Sequence, residues 1–256
     1  MRFVRYQKPN QPPRQGWLSG DAVGPIEGSI FTEFRRLEAE EELSQIKLLP
    51  PVLPSKIICV GRNYAAHASE HGAEIPEVPL LFLKPPSAVI GHLDTIFLPP
   101  QSHQVEHEAE LAIVIGKRGR WILPDQAEDY ILGYTIANDV TARDLQNKDH
   151  QWTRAKGFDT FCPIGPWIET EFNPADALIT CTVNEEIRQM ASTHEMVFNI
   201  YQLIAFASSV MTLEPGDLIL TGTPAGVSPL ADGDIVRITI EGIGTLENPV
   251  KAEAPH

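Results

Sequence analysis

A chain of 256 residues, 43% hydrophobic and 21% charged, has the composition of a globular protein long enough for one large domain or a main domain with a small appendage. Its formal net charge of −14 argues against nucleic-acid binding, which needs clustered Lys and Arg to neutralise phosphates. No apolar run approaches the roughly 20 residues that span a bilayer, so no membrane partner is expected. The opening MRFVRYQKPNQPPR has no apolar signal core, and Cys59, Cys162 and Cys181 lack metal or disulfide spacing. Reduced core thiols and a cytoplasmic location are the expectation.

Residues 1–53 read as a small N-terminal domain. A strand around Phe3 to Tyr6, a proline-rich turn from Pro9 to Pro13 and a strand near Trp17 lead to a helix capped by Thr32, with Phe34, Leu37 and Leu43 on its apolar side. Residues 49–54, LPPVLP, suit neither a helix nor a central strand, which places a boundary near residue 53. Residues 54–256 form the main domain, opening with a buried strand at Ile57, Ile58, Cys59 and Val60. The short helix that follows puts His67 and Glu70, three apart, on one face. A carboxylate beside an imidazole orients the ring and raises its basicity, as a general base requires; an exposed surface pair has the same spacing. His71 to Pro79 is either a lid over that pair or an ordinary connection. A short buried strand at Leu80 to Leu83 ends in Lys84, a candidate anion contact.

The organising stretch is Val105 to Gly116, VEHEAELAIVIG. Side chains two apart on a strand project the same way, so Glu108 and Glu110 lie side by side. Two carboxylates that close repel unless a cation sits between them, and an oxygen-only set suits a hard ion such as magnesium, with manganese or calcium as alternatives. A solvated strand end is the other reading of these two residues. A strand from Tyr130 to Ala137 delivers Asp139, and Arg143 and Gln146 share a helical face beyond it. Residues 152–166, WTRAKGFDTFCPIGP, read as a long loop holding Lys156. Strands at Leu178 to Val183, Ile187 to Met190, Leu218 to Leu220 and Ile235 to Ile240 follow, with one amphipathic helix through Tyr201, Leu203, Ile204 and Ala207.

The segments GRNYAAHASE (61–70), LLFLKPPSA (80–88), EHEAELAIVIG (106–116), NDVTARDLQ (138–146), the 152–166 loop and LTGTPAG (220–226) together resemble the fumarylacetoacetate hydrolase family. The resemblance implies a mixed α/β, mainly β fold, with sheets curled into a roll around a metal site, and a homodimer. It implies Glu108, Glu110 and Asp139 as ligands of Mg2+ or Mn2+, His67 and Glu70 as an acid/base dyad, and Lys156 as a stabiliser of developing negative charge. Arg143, Gln146 and Thr223, with Lys84 and Ser87 less firmly, are implied as substrate contacts. Family members often carry Asn-Gly where this chain has Asn184, Glu185 and Glu186. The implied activity is magnesium-dependent hydrolysis of a C–C bond in acylpyruvate-type 2-oxo acids. Oxaloacetate decarboxylation, isomerisation or decarboxylation of 2-hydroxyhepta-2,4-diene-1,7-dioate in aromatic catabolism, and a catalytically silent metal-binding protein are the alternatives.

Overall fold

Strand Ala109–Ile115 runs through the centre of the computed structural model, which describes residues 1–70 and 72–254. It is buried on both faces, so its alternation sorts residues between two cores rather than between core and solvent. Leu111, Ile113 and Ile115 enter one core. Ala112 and Val114 enter the other. Each fully buried large aliphatic contributes on the order of 1.5–3 kcal/mol, which anchors the register of this strand.

The strand belongs to a 13-stranded sheet. Ile131–Asn138 pairs with it on one side and Leu218–Leu220 on the other, both antiparallel. Beyond Leu218–Leu220 come Ile57–Gly61, in parallel, and then Leu80–Lys84. The last of these ends the sheet path and is half-buried rather than buried, with Leu83 exposed, because no strand among the described residues pairs with its outer edge. A second sheet, ordered Ile96–Leu98, Gly244–Ala252, Ile235–Ile240, Leu178–Val183 and Glu186–Ser192, packs against the first core. Helices α1 (Ala65–Glu70), α2 (Arg143–Asp149), α3 (Thr153–Lys156) and α4 (Ile200–Val210) fill the ends and flank. Asn199 caps α4 by accepting the Tyr201 and Gln202 N–H groups, and Leu203, Ile204 and Ala207 carry its buried face.

The N-terminal segment differs from its sequence reading. No helix follows Thr32: Phe34–Arg36 is a strand paired with Ala22–Gly28, Glu41–Glu42 is a second short partner of the same strand, and Leu43–Gln45 makes a single 3₁₀ turn. Three large apolar residues in twelve do not make a stable stripe, and the glutamates at 38, 40, 41 and 42 repel one another, so the open edge of Ala22–Gly28 takes the chain instead. The segment also joins the main sheet edge to edge, since Arg2 and Phe3 pair with Glu169 and Ile168 of strand Cys162–Glu169. That strand and α3 occupy most of the expected 152–166 loop. His71 lies outside the described residues; residues 72–79 form a connection exposing Ile75 and Val78. The three thiols are buried, and burial pushes Cys162 and Cys181 up to about 12, which makes them inert.

The hairpin between Leu178–Val183 and Glu186–Ser192 has a two-residue loop, Asn184 and Glu185, at φ 51° and 73°. Such turns favour Asn-Gly, because a Cβ is strained in the left-handed region. Glu185→Gly is therefore expected to stabilise the protein by about 0.5–1 kcal/mol, after loss of the exposed Glu185–Arg237 pair. A urea midpoint that fails to rise would contradict the turn assignment.

Candidate active site

The centre forms where the strands at the middle of the main sheet begin and end. Ala109 pairs with Asn138, which brings Glu108, just before one strand, beside Asp139, just after the other. The backbone locks the corner: Asp139 N–H donates to Glu108 O at 2.9 Å, and Glu108 N–H donates to Asn138 Oδ1 at 2.9 Å. Glu110 projects from the face that carries Ala112 and Val114. Ligand oxygens of Glu108, Glu110 and Asp139 lie within 4.8 Å of one another, and all three residues are at most 4% exposed. A solvated strand end does not bury its carboxylates, so that reading falls.

Three buried cations face this group. Lys156 Nζ, delivered by α3, donates to Glu108 Oε2 at 2.8 Å and Asp139 Oδ2 at 2.7 Å. Lys84 Nζ donates to Asp139 Oδ1 at 2.6 Å and to Val140 O. Arg143, at the start of α2, donates to Glu108 Oε1 at 2.5 Å, to Glu106 Oε2 at 2.8 Å and to Gln146 Oε1 at 2.5 Å. Counting Glu106, four carboxylates stand against three cations. Burial works against ionised Glu108, yet Lys156 and Arg143 outweigh it and hold that carboxyl far below the ordinary range. Among the described residues Glu110 has only the Gly222 N–H on Oε2, at 2.6 Å; burial, with Asp139 and Glu108, pushes it well up. A divalent cation supplies the charge that lets all three ionise together, and a cluster of carboxylate oxygens is the donor set magnesium or manganese takes. The residues fit such an ion. Asn138 Nδ2, one residue from Asp139, is a buried donor with no partner among the described residues, which suits a centre completed by solvent.

Glu108, Glu110 and Asp139 line a cleft of about 650 Å³ together with His67, Arg143, Gln146, Lys156 and Thr223. Phe82 and Trp152 pack edge to face at 5.0 Å along its apolar wall. His67 Nδ1 lies 3.5 Å from Glu70 Oε2 across one turn of α1, with the imidazole 8% exposed. The Gly226 N–H, at 3.2 and 3.3 Å from the two Glu70 oxygens, ties the helix to the loop after Leu220. Gly226 has φ 99°, and a Cβ there would stand 2.0 Å from Arg188 O, so only glycine closes this contact.

Most of the residues singled out in the sequence meet here, but several face other partners than expected. Lys84 is buried against Asp139 and does not line the cleft, and Ser87 is exposed on the turn after Lys84, away from it. All three arms of Arg143 are taken, so it organises carboxylates. Gln146 spends its carbonyl on Arg143, which leaves its amide as a donor. Thr223 Oγ donates to Ala109 O at 2.9 Å and accepts from Gln189 Nε2 at 2.7 Å, so its hydroxyl proton is already committed. Sequence reasoning passed over Glu106, His107 and Gln189. Gln189 Oε1 accepts the Ala109 N–H at 3.0 Å, and His107 bridges Gln189 and Ser228. Their only signal in the sequence is a polar residue inside an otherwise apolar or strand-forming run.

Residues 56–251 match the model of the fumarylacetoacetate (FAA) hydrolase C-terminal family. The chain belongs to this family. Residues 1–51 match a separate one, the Rv2993c-like N-terminal family, and the two meet in the proline-rich stretch. Among solved FAA hydrolase relatives, the 2-hydroxyhepta-2,4-diene-1,7-dioate isomerase from Mycobacterium marinum is 45% identical, with a TM-score of 0.92 over 100% of both chains. The maleylpyruvate hydrolase from Sphingobium sp. SYK-6, solved with manganese(II) and pyruvate, is 34% identical with a TM-score of 0.81, over 99% of this chain and 100% of that one. The mitochondrial oxaloacetate tautomerase FAHD2A of Bos taurus is 40% identical across 98% of this chain and 91% of its own length. The mainly β fold is thus that of a family of enzymes that includes isomerases and hydrolases. No helix among the described residues is long and apolar enough to cross a membrane.

Proposed function

We propose that this protein is a divalent-metal-dependent enzyme of 2-oxo acids that hydrolyses the C–C bond of acylpyruvates, with magnesium as the ion and manganese as its substitute. The observation that carries the reading is one cleft holding both a buried three-carboxylate cluster and an assembled His67–Glu70 pair. Glu108, Glu110 and Asp139 would hold the ion, which when bound supplies Lewis-acid stabilisation to the carboxylate and 2-oxo oxygens of a chelating substrate.

The remaining work falls to the chain. The Glu70 carboxylate, 3.5 Å from His67 Nδ1, favours a proton on that nitrogen and so leaves Nε2 as the basic one. His67 takes a proton from water as the oxygen adds to the distal carbonyl; the C–C bond then breaks, and the proton returns to the carbon that becomes the pyruvate methyl. Lys156 keeps a fixed positive charge beside that carbon framework: burial alone would lower its pKa, but Asp139 and Glu108 hold it above the ordinary lysine value. The Gln146 amide is a donor for a substrate oxygen. The products are pyruvate and a carboxylic acid.

The bovine tautomerase and the mycobacterial isomerase support a second reading, in which His67 moves a proton at carbon without activating water. Purified protein with magnesium, given acetylpyruvate, fumarylpyruvate and oxaloacetate, separates them. Pyruvate release from an acylpyruvate, lost with chelator and restored by magnesium or manganese, is the expected result. Conversion of enol to keto oxaloacetate without pyruvate release would move the assignment to a tautomerase. Metal-induced thermal stabilisation with no turnover of any of the three would make the protein a binding module. The reading includes a cytoplasmic homodimer, which light scattering checks.

A further inference from the structure

Gln189 points inward from a strand whose neighbouring residues face solvent: in Glu186–Ser192, Glu186, Ile187, Arg188 and Met190 are exposed, and Gln189 is fully buried. A break in register turns it. Cys181 faces Gln189 and Thr182 faces Ile187, so Arg188 is the extra residue of a β-bulge, a feature that re-aims side chains. Gln189 does not line the cleft, yet its amide fills all four of its hydrogen-bonding positions. Oε1 accepts from the Ala109 N–H and from His107 Nδ1, both at 3.0 Å. Nε2 donates to Thr223 Oγ and to Pro224 O, both at 2.7 Å.

The two sets of partners serve different halves of the site. His107 and Ala109 flank Glu108, and Ala109 precedes Glu110. Thr223 and Pro224 lie in the loop 221–226, whose Gly222 N–H donates to Glu110 at 2.6 Å and whose Gly226 N–H stands 3.2 and 3.3 Å from the Glu70 oxygens. Gly222 thus touches the carboxylate centre, Gly226 touches the His67–Glu70 pair, and Gln189 grips the chain between them. Among the described residues, the bond from Thr223 Oγ to Ala109 O is the one other hydrogen bond that ties Thr223, Pro224 or Ala225 to the rest of the chain. A buried amide with every position used holds its partners firmly, because moving any of them leaves a buried polar group unpaired.

We propose that Gln189 is a positioning residue that couples the carboxylate centre to the acid/base pair. This inference rests on the metal-dependent reading given above. Fixing Glu110 against an ion fixes Gly222, and the clamp carries that order past Thr223 and Pro224 to Gly226, and so to Glu70 and the imidazole it orients. The base is then held in place when the centre is filled.

The test is NMR amide hydrogen exchange on the full-length protein carrying isotopically labelled glycine, with and without saturating magnesium. In the wild type, magnesium is expected to slow exchange at both Gly222 and Gly226 by about fivefold or more. Gln189→Met keeps the length of the side chain and removes its four hydrogen bonds; it should retain the slowing at Gly222 and lose it at Gly226. Gln189→Glu keeps an oxygen for the Ala109 N–H and has at most one proton for Thr223 and Pro224, so its slowing at Gly226 should be intermediate, and it carries the test if Gln189→Met does not fold. A merely structural role would speed exchange at both glycines alike and leave the effect of magnesium at each unchanged, which would overturn the proposal. Slowing at Gly222 but not at Gly226 in the wild type would also overturn it and leave the metal-dependent reading standing. No effect of magnesium at either glycine would remove the two together.

Discussion

Lys156→Met is expected to destabilise the protein by about 3–5 kcal/mol and abolish turnover, because it leaves Glu108 and Asp139 facing each other in a buried corner without the cation that joins them. The methylene stem is kept, so its packing beside the Phe82 ring is largely preserved and the loss reports the charge. Divalent metal should restore part of the stability, and the variant should gain more from magnesium than the wild type does, since the ion then replaces the charge that Lys156 supplied between Glu108 and Asp139. Urea denaturation with and without magnesium measures both. A loss below about 1 kcal/mol, the range of an exposed pair, would mean that the corner is solvated in solution.

His67→Ala is expected to lower acylpyruvate hydrolysis by about 10²–10⁴-fold while leaving the thermal shift produced by magnesium in place. The second half of that result matters as much as the first. His67 lies in α1 and the carboxylates lie at the sheet corner, so removing the imidazole should leave the metal-binding residues in place. Loss of magnesium stabilisation would show instead that His67 supports the metal centre. Hydrolysis at the wild-type rate would take the base role from His67, and survival of oxaloacetate tautomerisation alone would confine the imidazole to activating water. Glu70→Gln, which keeps the contact with the Gly226 N–H through its carbonyl but drops the charge, should lower the rate less than His67→Ala and shift its pH profile.

The shared face of Glu108 and Glu110 was legible because strand geometry is local: carboxylates two apart in a strand project the same way whatever surrounds them. That Asp139 joins them in a metal centre was implied by the family resemblance alone, and the three carboxylates do converge. Local spacing likewise placed His67 and Glu70 on one helical turn, and Arg143 beside Gln146, which meet at 2.5 Å. The segment after Thr32 was misread for the complementary reason. Its weak helical period was overridden by an unpaired strand edge supplied from residues 22–28, which no local pattern in 32–43 announces.

Local patterns in the chain determined the strands that carry the carboxylates, the helix turns that carry His67, Glu70, Arg143 and Gln146, and the absence of basic clusters or cysteine frameworks; they did not give the short helix that carries Lys156. Tertiary structure alone decided which partner each charge meets. Lys84 and Ser87 are three residues apart in one motif, yet one is buried against Asp139 and the other faces solvent. Arg143 and Arg62 are both arginines on the cleft; three acceptors engage the first, and none among the described residues engages the second. The physical reason is that charge pairing depends on distances across strands far apart in sequence, as between Glu108 and Lys156, whereas backbone periodicity depends on neighbours two to four residues away.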